Sequence, residues 1–235
     1  MKKFKLTSEF IVDISGVKLF RIKALIEFGN VKAGDLGGYI EKEENLSHMG
    51  NAWVSGNAQV SGNAQVSGNA QVSGNAWVSG NAQVSGDARV SGNARVSGDA
   101  RVFGDARVSG NARVSGDAQV FGDARVSGNA RVFGNAWVSG NAWVSGNAQV
   151  SGDAQVFGDA RVSGDKDYAY AHGFGSCNRT TTFFRLKDGD VGVRCGCFYG
   201  TLAQFRDKVC ETHGETKKAQ EYLMLADLME IRFKN

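Results

Sequence analysis

There is no proline in this 235-residue chain. That excludes collagen and proline-rich linkers, which use the fixed φ of proline to hold an extended helix. No apolar run approaches the roughly 18 residues that a membrane-spanning helix needs. The start, MKKFKLTSEF, is basic, but no apolar stretch of a secretory signal follows it. The expected location is therefore the cytoplasm. Cysteine is scarce: Cys177, Cys195, Cys197 and Cys210 all lie towards the C-terminal end, and without a secretion signal they are expected as free thiols. Neither sign of charge dominates. The net charge is +3, and residues 1–49, 50–163 and 164–235 each contribute one positive charge to it. A basic tail of the kind that grips nucleic acid is thereby excluded, and any anion site must come from local arrangement.

Glycine, in contrast, is abundant at 32 residues, and its placement is ordered. From Gly50 to Ser163 the chain is 19 consecutive hexads of the form G-[N/D]-A-x-V-[S/F]. The A-x-V triplet alternates small apolar, variable and β-branched, which predicts a short strand with Ala and Val on one side and x on the other. The Gly-Asn or Gly-Asp pair predicts a corner, because these residues best tolerate positive φ. Strands this short cannot form a hairpin meander that buries every Ala and Val. A solenoid can, with each strand stacked on its equivalent one coil away. Each buried Val contributes about 1.5–3 kcal/mol relative to exposure. Slippage by whole hexads would preserve that pattern, so the irregular ends and the outward residues must set register.

These residues resemble the hexapeptide-repeat left-handed β-helix superfamily, whose coils have three six-residue sides. The resemblance implies a mainly β fold: a left-handed, triangular parallel β-helix of about six coils, three hexads to a coil, over residues 50–164. Handedness rests on the resemblance, since the hexads also permit a right-handed helix. An N-terminal β cap and lead-in coil (1–49) and a small C-terminal α+β module (165–235) complete the expected organisation.

Stacking of one coil on the next brings every third hexad into line and turns the variable positions into columns. Face 1 reads Trp53, Gln71, Arg89, Arg107, Arg125, Trp143, Arg161; Asp87, Asp105 and Asp123 each precede an arginine by two residues, which predicts a self-neutralised lattice. Face 2 reads Gln59, Trp77, Arg95, Arg113, Arg131, Gln149, with Asn93, Asn111 and Asn129 in place of the acids. Its three arginines are candidates for binding phosphate or another anion, unless Asp99 and Asp117 at the next corner compensate them. Face 3 reads Gln65, Gln83, Arg101, Gln119, Trp137, Gln155. Phe103, Phe121, Trp137 and Phe157 are expected to form a continuous outward apolar stripe there, the candidate oligomer interface. Superfamily relatives commonly trimerise through flat sides, so a trimer is favoured. Acyltransferases of the superfamily carry a catalytic histidine on or beside a coil and loops that grip the acyl donor; the hexads contain neither.

Residues 1–30 alternate apolar and polar, predicting two or three strands with turns near Thr7-Ser8-Glu9 and Ser15-Gly16. With Asn30 to Ile40, this segment resembles the N-terminal cap of an uncharacterised enterobacterial hexapeptide-repeat protein. In the C-terminal part, strands are expected at 168–171, 180–186 and 191–198, and helices at about 202–212 and 215–231. The Gly-Ser-Cys-Asn-Arg-Thr, Cys-Gly-Cys-Phe-Tyr-Gly-Thr and Thr-His-Gly segments resemble a module on hexapeptide-repeat proteins of phages and prophages. Its polar residues admit several readings. Cys195, Cys197, Cys210 and His213 suggest zinc, but their spacing departs from the usual C-x-x-C knuckles. Cys197 and His213 suggest a nucleophile and base without an orienting third group. Asn178, Arg179, Thr180, Arg194, Cys197 and His213 suggest a pocket for a small anionic ligand. The plainest reading makes the cysteines small core residues. No metal and no cofactor are expected. Taken together, the chain reads as a non-catalytic structural or adaptor rod that self-associates, plausible for a phage or mobile element. The alternatives are a protein that sequesters a nucleotide or other anion and, behind it, an acyltransferase.

Overall fold

The corner glycines set the path of the chain. All 19 hexad glycines, Gly50 to Gly158, have φ between 58° and 70°, a region in which a Cβ is strained. Space forbids one as well: a Cβ on Gly104 would lie 3.0 Å from the backbone nitrogen of Gly122 in the next coil. Between corners, each hexad contributes a two-residue strand, β4 (Trp53–Val54) to β22 (Arg161–Val162). The hexad Ala and Val side chains point inward and are at most 1% exposed.

In the computed structural model, which describes residues 2–175 and 179–234, these strands stack into a parallel β-solenoid of about seven turns. Each strand pairs with its equivalent three hexads on: Arg89 pairs with Arg107, Arg95 with Arg113, and Arg101 with Gln119. The three predicted faces are therefore present with the predicted columns. The turn count exceeds the expected six because the lead-in residues already form a coil. Strand β3 (Leu36–Ile40) pairs in parallel with β5 (Gln59–Val60), and Leu46 bridges Val66.

At strand ends and corners each coil donates N–H groups to the carbonyls of the coil after it, as in Gln59 N to Ala76 O (2.9 Å) and Asn63 N to Gly80 O (2.8 Å). Within each strand pair the valine N–H donates back to the coil before, as parallel pairing requires. The first coil is left mainly with unpaired carbonyls and the last mainly with unpaired N–H groups, and both need partners. At the N-terminal end the partners are mostly donors, with Glu41 Oε2 the acceptor for Gly62 N (2.6 Å). Lys3 Nζ reaches Gly50 O and Ala52 O, Asn45 Nδ2 reaches Gly62 O and Ala64 O, and Tyr39 N and Glu41 N reach Ala58 O and Val60 O. At the C-terminal end they are acceptors: Asp165 Oδ1 for Gln149 N, Thr182 Oγ1 for Gln155 N, and Asp167 Oδ2 for Ser163 N. Burial opposes the ionised form of Asp167, yet the Ser163 and Gly164 hydrogen bonds and nearby Arg185 hold its carboxyl below the usual range.

The remaining cap elements follow from the same sequence. Strands β1 (Phe4–Val12) and β2 (Lys18–Ala24) form an antiparallel hairpin that extends the face 2 sheet through β3. The turn expected at Thr7-Ser8-Glu9 is instead an irregularity within β1, between Leu6 and Phe10, because pairing with β2 resumes beyond it. The C-terminal module is an antiparallel sheet of β23 (Tyr168–Ala171), β24 (Thr181–Arg185), β25 (Val191–Cys195) and β26 (Phe198–Thr201), followed by α1 (Leu202–His213) and α2 (Lys217–Phe233). The single strand expected over 191–198 is broken at Gly196 (φ 58°) into a hairpin that pairs Cys195 with Phe198. Alternation along β24 serves two cores at once. Phe184 packs into the end of the solenoid, while Phe183 packs with Phe205, Tyr222 and Met229 under the helices.

Lys3 is almost fully buried, and that burial lowers its ammonium from 10.5 to about 8. Between those values the unfolded chain binds more protons, so stability contributed at this position rises with pH. At pH 10 the neutral amine still donates, and Lys3→Met should cost about 1–3 kcal/mol through the stranded carbonyls. The melting-temperature gap between the two proteins should shrink from pH 10 towards pH 7; a constant or growing gap would contradict this assignment.

Candidate functional site

The candidate positions divide between the outer faces of the solenoid and the C-terminal module. On faces 1 and 2 the arginines follow the columns read from the sequence, but the expected charge lattice does not form. Among the described residues, no ion pair within 4.0 Å joins a repeat arginine to a repeat aspartate. Where an asparagine precedes it in its corner column, an acid bonds to that amide instead: Asn69 Nδ2 donates to Asp87, Asn81 to Asp99, Asn135 to Asp153 and Asn141 to Asp159. Several arginines turn to aromatic rings: Arg125 and Arg161 flank the Trp143 ring at 4.9 and 4.6 Å, and Arg95 lies 5.6 Å from that of Trp77.

The corner before face 2 is uncharged. Asn57, Asn75, Asn93, Asn111, Asn129 and Asn147 form an unbroken amide ladder, each Nδ2 donating to the next Oδ1 at 3.1–3.3 Å. Arg95, Arg113 and Arg131 stand exposed beside it on successive rungs. Asp99 and Asp117, the expected compensating acids, make no ion pair with them.

On face 3, Phe103 and Phe121 stack in parallel at 5.0 Å, and Trp137 meets Phe121 edge-on at 6.2 Å. Trp137 is 42% exposed. Phe157 departs from the expected stripe because the chain's own module covers it: Tyr199 packs against its ring at 5.1 Å and Arg194 lies over it at 5.3 Å. Exposed Phe133, on face 2, was missed; the one Phe in an otherwise Ser column (61, 79, 97, 115, 151) was the signal.

In the module, Arg179, Cys197 and His213 come together around a cavity of about 220 Å³, with Phe198, Phe205 and Tyr222 also lining it. Asn178 lies outside the described residues. Thr180 lies elsewhere, bonded to His172. Arg194 is on the opposite side of the sheet. It pairs with Thr182, and both alternate away from the helices, so its guanidinium reaches Gln155 and Phe157 on the solenoid. Lys208 and Thr212, also on the wall, were missed; their helical spacing from Phe205 and Val209 placed them on the same side of α1. The zinc set does not assemble. Cys195 and Cys197 both line the cavity with His213 but Cys210 does not, and Cys195 accepts from Thr181 while Cys197 is exposed. Among the described residues, no three His, Cys, Asp or Glu side chains are grouped to hold a metal.

Seven overlapping segments spanning residues 64–140 match the YdcK Beta solenoid repeat, about a third of the chain. The match and the coil register agree that this is a repeat β-solenoid protein. No curated protein matches the chain. No helix among the described residues is long and apolar enough to cross a membrane.

Since Arg194 serves the junction between module and solenoid, Arg194→Ala should lower stability by about 1 kcal/mol through the lost ring and Gln155 contacts. Thermal unfolding of the two proteins checks this; an unchanged melting temperature would remove Arg194 from the junction.

Proposed function

We propose that the chain is a non-catalytic structural protein, a solenoid rod that associates with copies of itself through face 3 and carries the C-terminal module on each copy. The observation that carries this reading is the Phe103–Phe121–Trp137 stack, an aromatic stripe on a side of the solenoid with no inserted loop. Contiguous exposed apolar surface of this kind favours a protein contact, and a face built from a strict repeat presents the same surface on every copy. A trimer is the expected assembly, following the superfamily that the hexads resemble. The resemblance of the C-terminal module to those of phage and prophage proteins supports a phage or mobile-element setting within the host cytoplasm.

Acyl transfer is disfavoured. The hexads have no histidine, and His48 in the lead-in coil has both ring nitrogens engaged, by Lys3 N and by Glu43. A second reading, a binder of small anions, draws on the module cavity, where Arg179, Lys208 and His213 stand around an aromatic floor.

Phe121→Asp places a charge in the middle of the stripe. The variant should fold with unchanged circular dichroism and run as a monomer in sedimentation velocity where the native protein runs as an oligomer. Persistence of the native assembly would reject face 3 as the interface.

A further inference from the structure

Face 2 holds an energetic conflict that no ion pair among the described residues resolves. Like charges directly opposite on neighbouring strands are destabilising, yet Arg95, Arg113 and Arg131 occupy three successive rungs with no ion pair among the described residues. The face 1 arginines make no ion pair either, but each has an aspartate two residues before it to offset its charge, whereas here the preceding corner is all asparagine. Local rules broken without compensation mark functional positions.

The stripe also has ends. At one end the hairpin tip residues Val12, Asp13 and Ile14 stand with Trp77 and Arg95 around a recess of about 390 Å³. The Trp77 indole Nε1 is buried with no hydrogen-bond partner. The one acid there is turned inward: Asp13 Oδ1 accepts from Ser15 N and Val17 N. At the other end Tyr170 and Arg232 of the module stand with Phe133, Gln149 and Asp165 around a recess of about 420 Å³, with Asp165 Oδ1 accepting from Gln149 N. The two caps thus bound a trough five rungs long, from Trp77 to Gln149, or about 20 Å at the usual strand spacing.

We propose that this trough binds a linear anionic polysaccharide carrying one carboxylate per sugar ring. The charged rungs repeat at about 4.8 Å, close to the length of one pyranose ring in an extended polymer. The carboxylates on the side of the polymer that faces the trough can therefore meet guanidinium groups of the column, which bind them bidentately. Aromatic side chains stand only at the ends, Trp77 at one and Phe133 at the other, where a terminal ring can stack. A single-stranded nucleic acid fits less well, because such sites interleave aromatic rings with the basic residues so that successive bases stack. The inference does not rest on self-association through face 3, and a monomeric protein would test it equally well.

The test is fluorescence anisotropy at low ionic strength with a labelled five-ring β-linked oligouronate, its carboxyl-reduced neutral counterpart, and an oligothymidylate of equal charge. The native protein should bind the oligouronate and not the neutral oligomer. The triple variant Arg95→Gln/Arg113→Gln/Arg131→Gln should weaken binding at least about tenfold, as the bidentate contacts are lost. The face 1 triple, Arg89→Gln/Arg107→Gln/Arg125→Gln, should stay within about twofold, because its arginines lie outside the trough. Should the face 2 triple fail to fold, Arg113→Gln alone is expected to show a severalfold loss. No binding by the native protein, equal loss in the two triples, or tighter binding of the oligothymidylate would overturn the proposal.

Discussion

Parallel stacking gives the hydrogen-bond ladder of the solenoid a direction, and the rest of the molecule is arranged around that direction. At strand ends and corners the coils donate forward, so carbonyls predominate at one end and N–H groups at the other, although the valine N–H groups donate back within each strand pair. Buried backbone groups of either kind are costly without partners. The two caps answer with opposite chemistry: the ammonium of Lys3 and the amide of Asn45 at the carbonyl end, the carboxylates of Asp165 and Asp167 and the hydroxyl of Thr182 at the N–H end. Lys3 therefore sits inside one end and Asp165 and Asp167 at the other, with the Glu41 carboxylate accepting from Gly62 N at the first end.

Closing the ends leaves the three sides free, and each side has become different. Face 1 mixes arginines with corner acids, face 3 gathers aromatic rings, and face 2 lines up arginines beside uncharged corners between the caps. The core beneath is uniform Ala and Val, so outward changes have no direct effect on core packing. The same outward residues also resist slippage. Trp77 under Arg95, Phe103 on Phe121, and Trp143 between Arg125 and Arg161 are contacts that exist only when each strand meets its equivalent three hexads away.

Much of this was legible in the sequence because the hexad repeats one local rule. Glycine at a positive-φ corner and alternation through A-x-V determine which residues point inward, and the columns of all three faces follow from them. Legibility failed where a side chain's destination depended on a partner distant in sequence. Arg194 sits three residues before Cys197, yet strand alternation sends it to the solenoid, away from the cavity that Cys197 lines. Phe157 belongs to the right column, but Tyr199, which covers it, lies far along the chain in the module. Lys3 reads as one of several N-terminal lysines, and nothing local reveals that it caps Gly50 and Ala52. The repeat aspartates misled for another reason: a corner neighbour one coil away competes successfully with an arginine two residues away.

The directed ladder is tested most directly by amide hydrogen exchange resolved along the chain. If the caps close both ends, the last-coil amides of Gln149, Gln155 and Ser163 should exchange as slowly as those of Arg113 and Arg125 in the middle coils. Exchange at those three sites orders of magnitude faster than in the middle would show a ladder that frays at its C-terminal end, and would contradict the account.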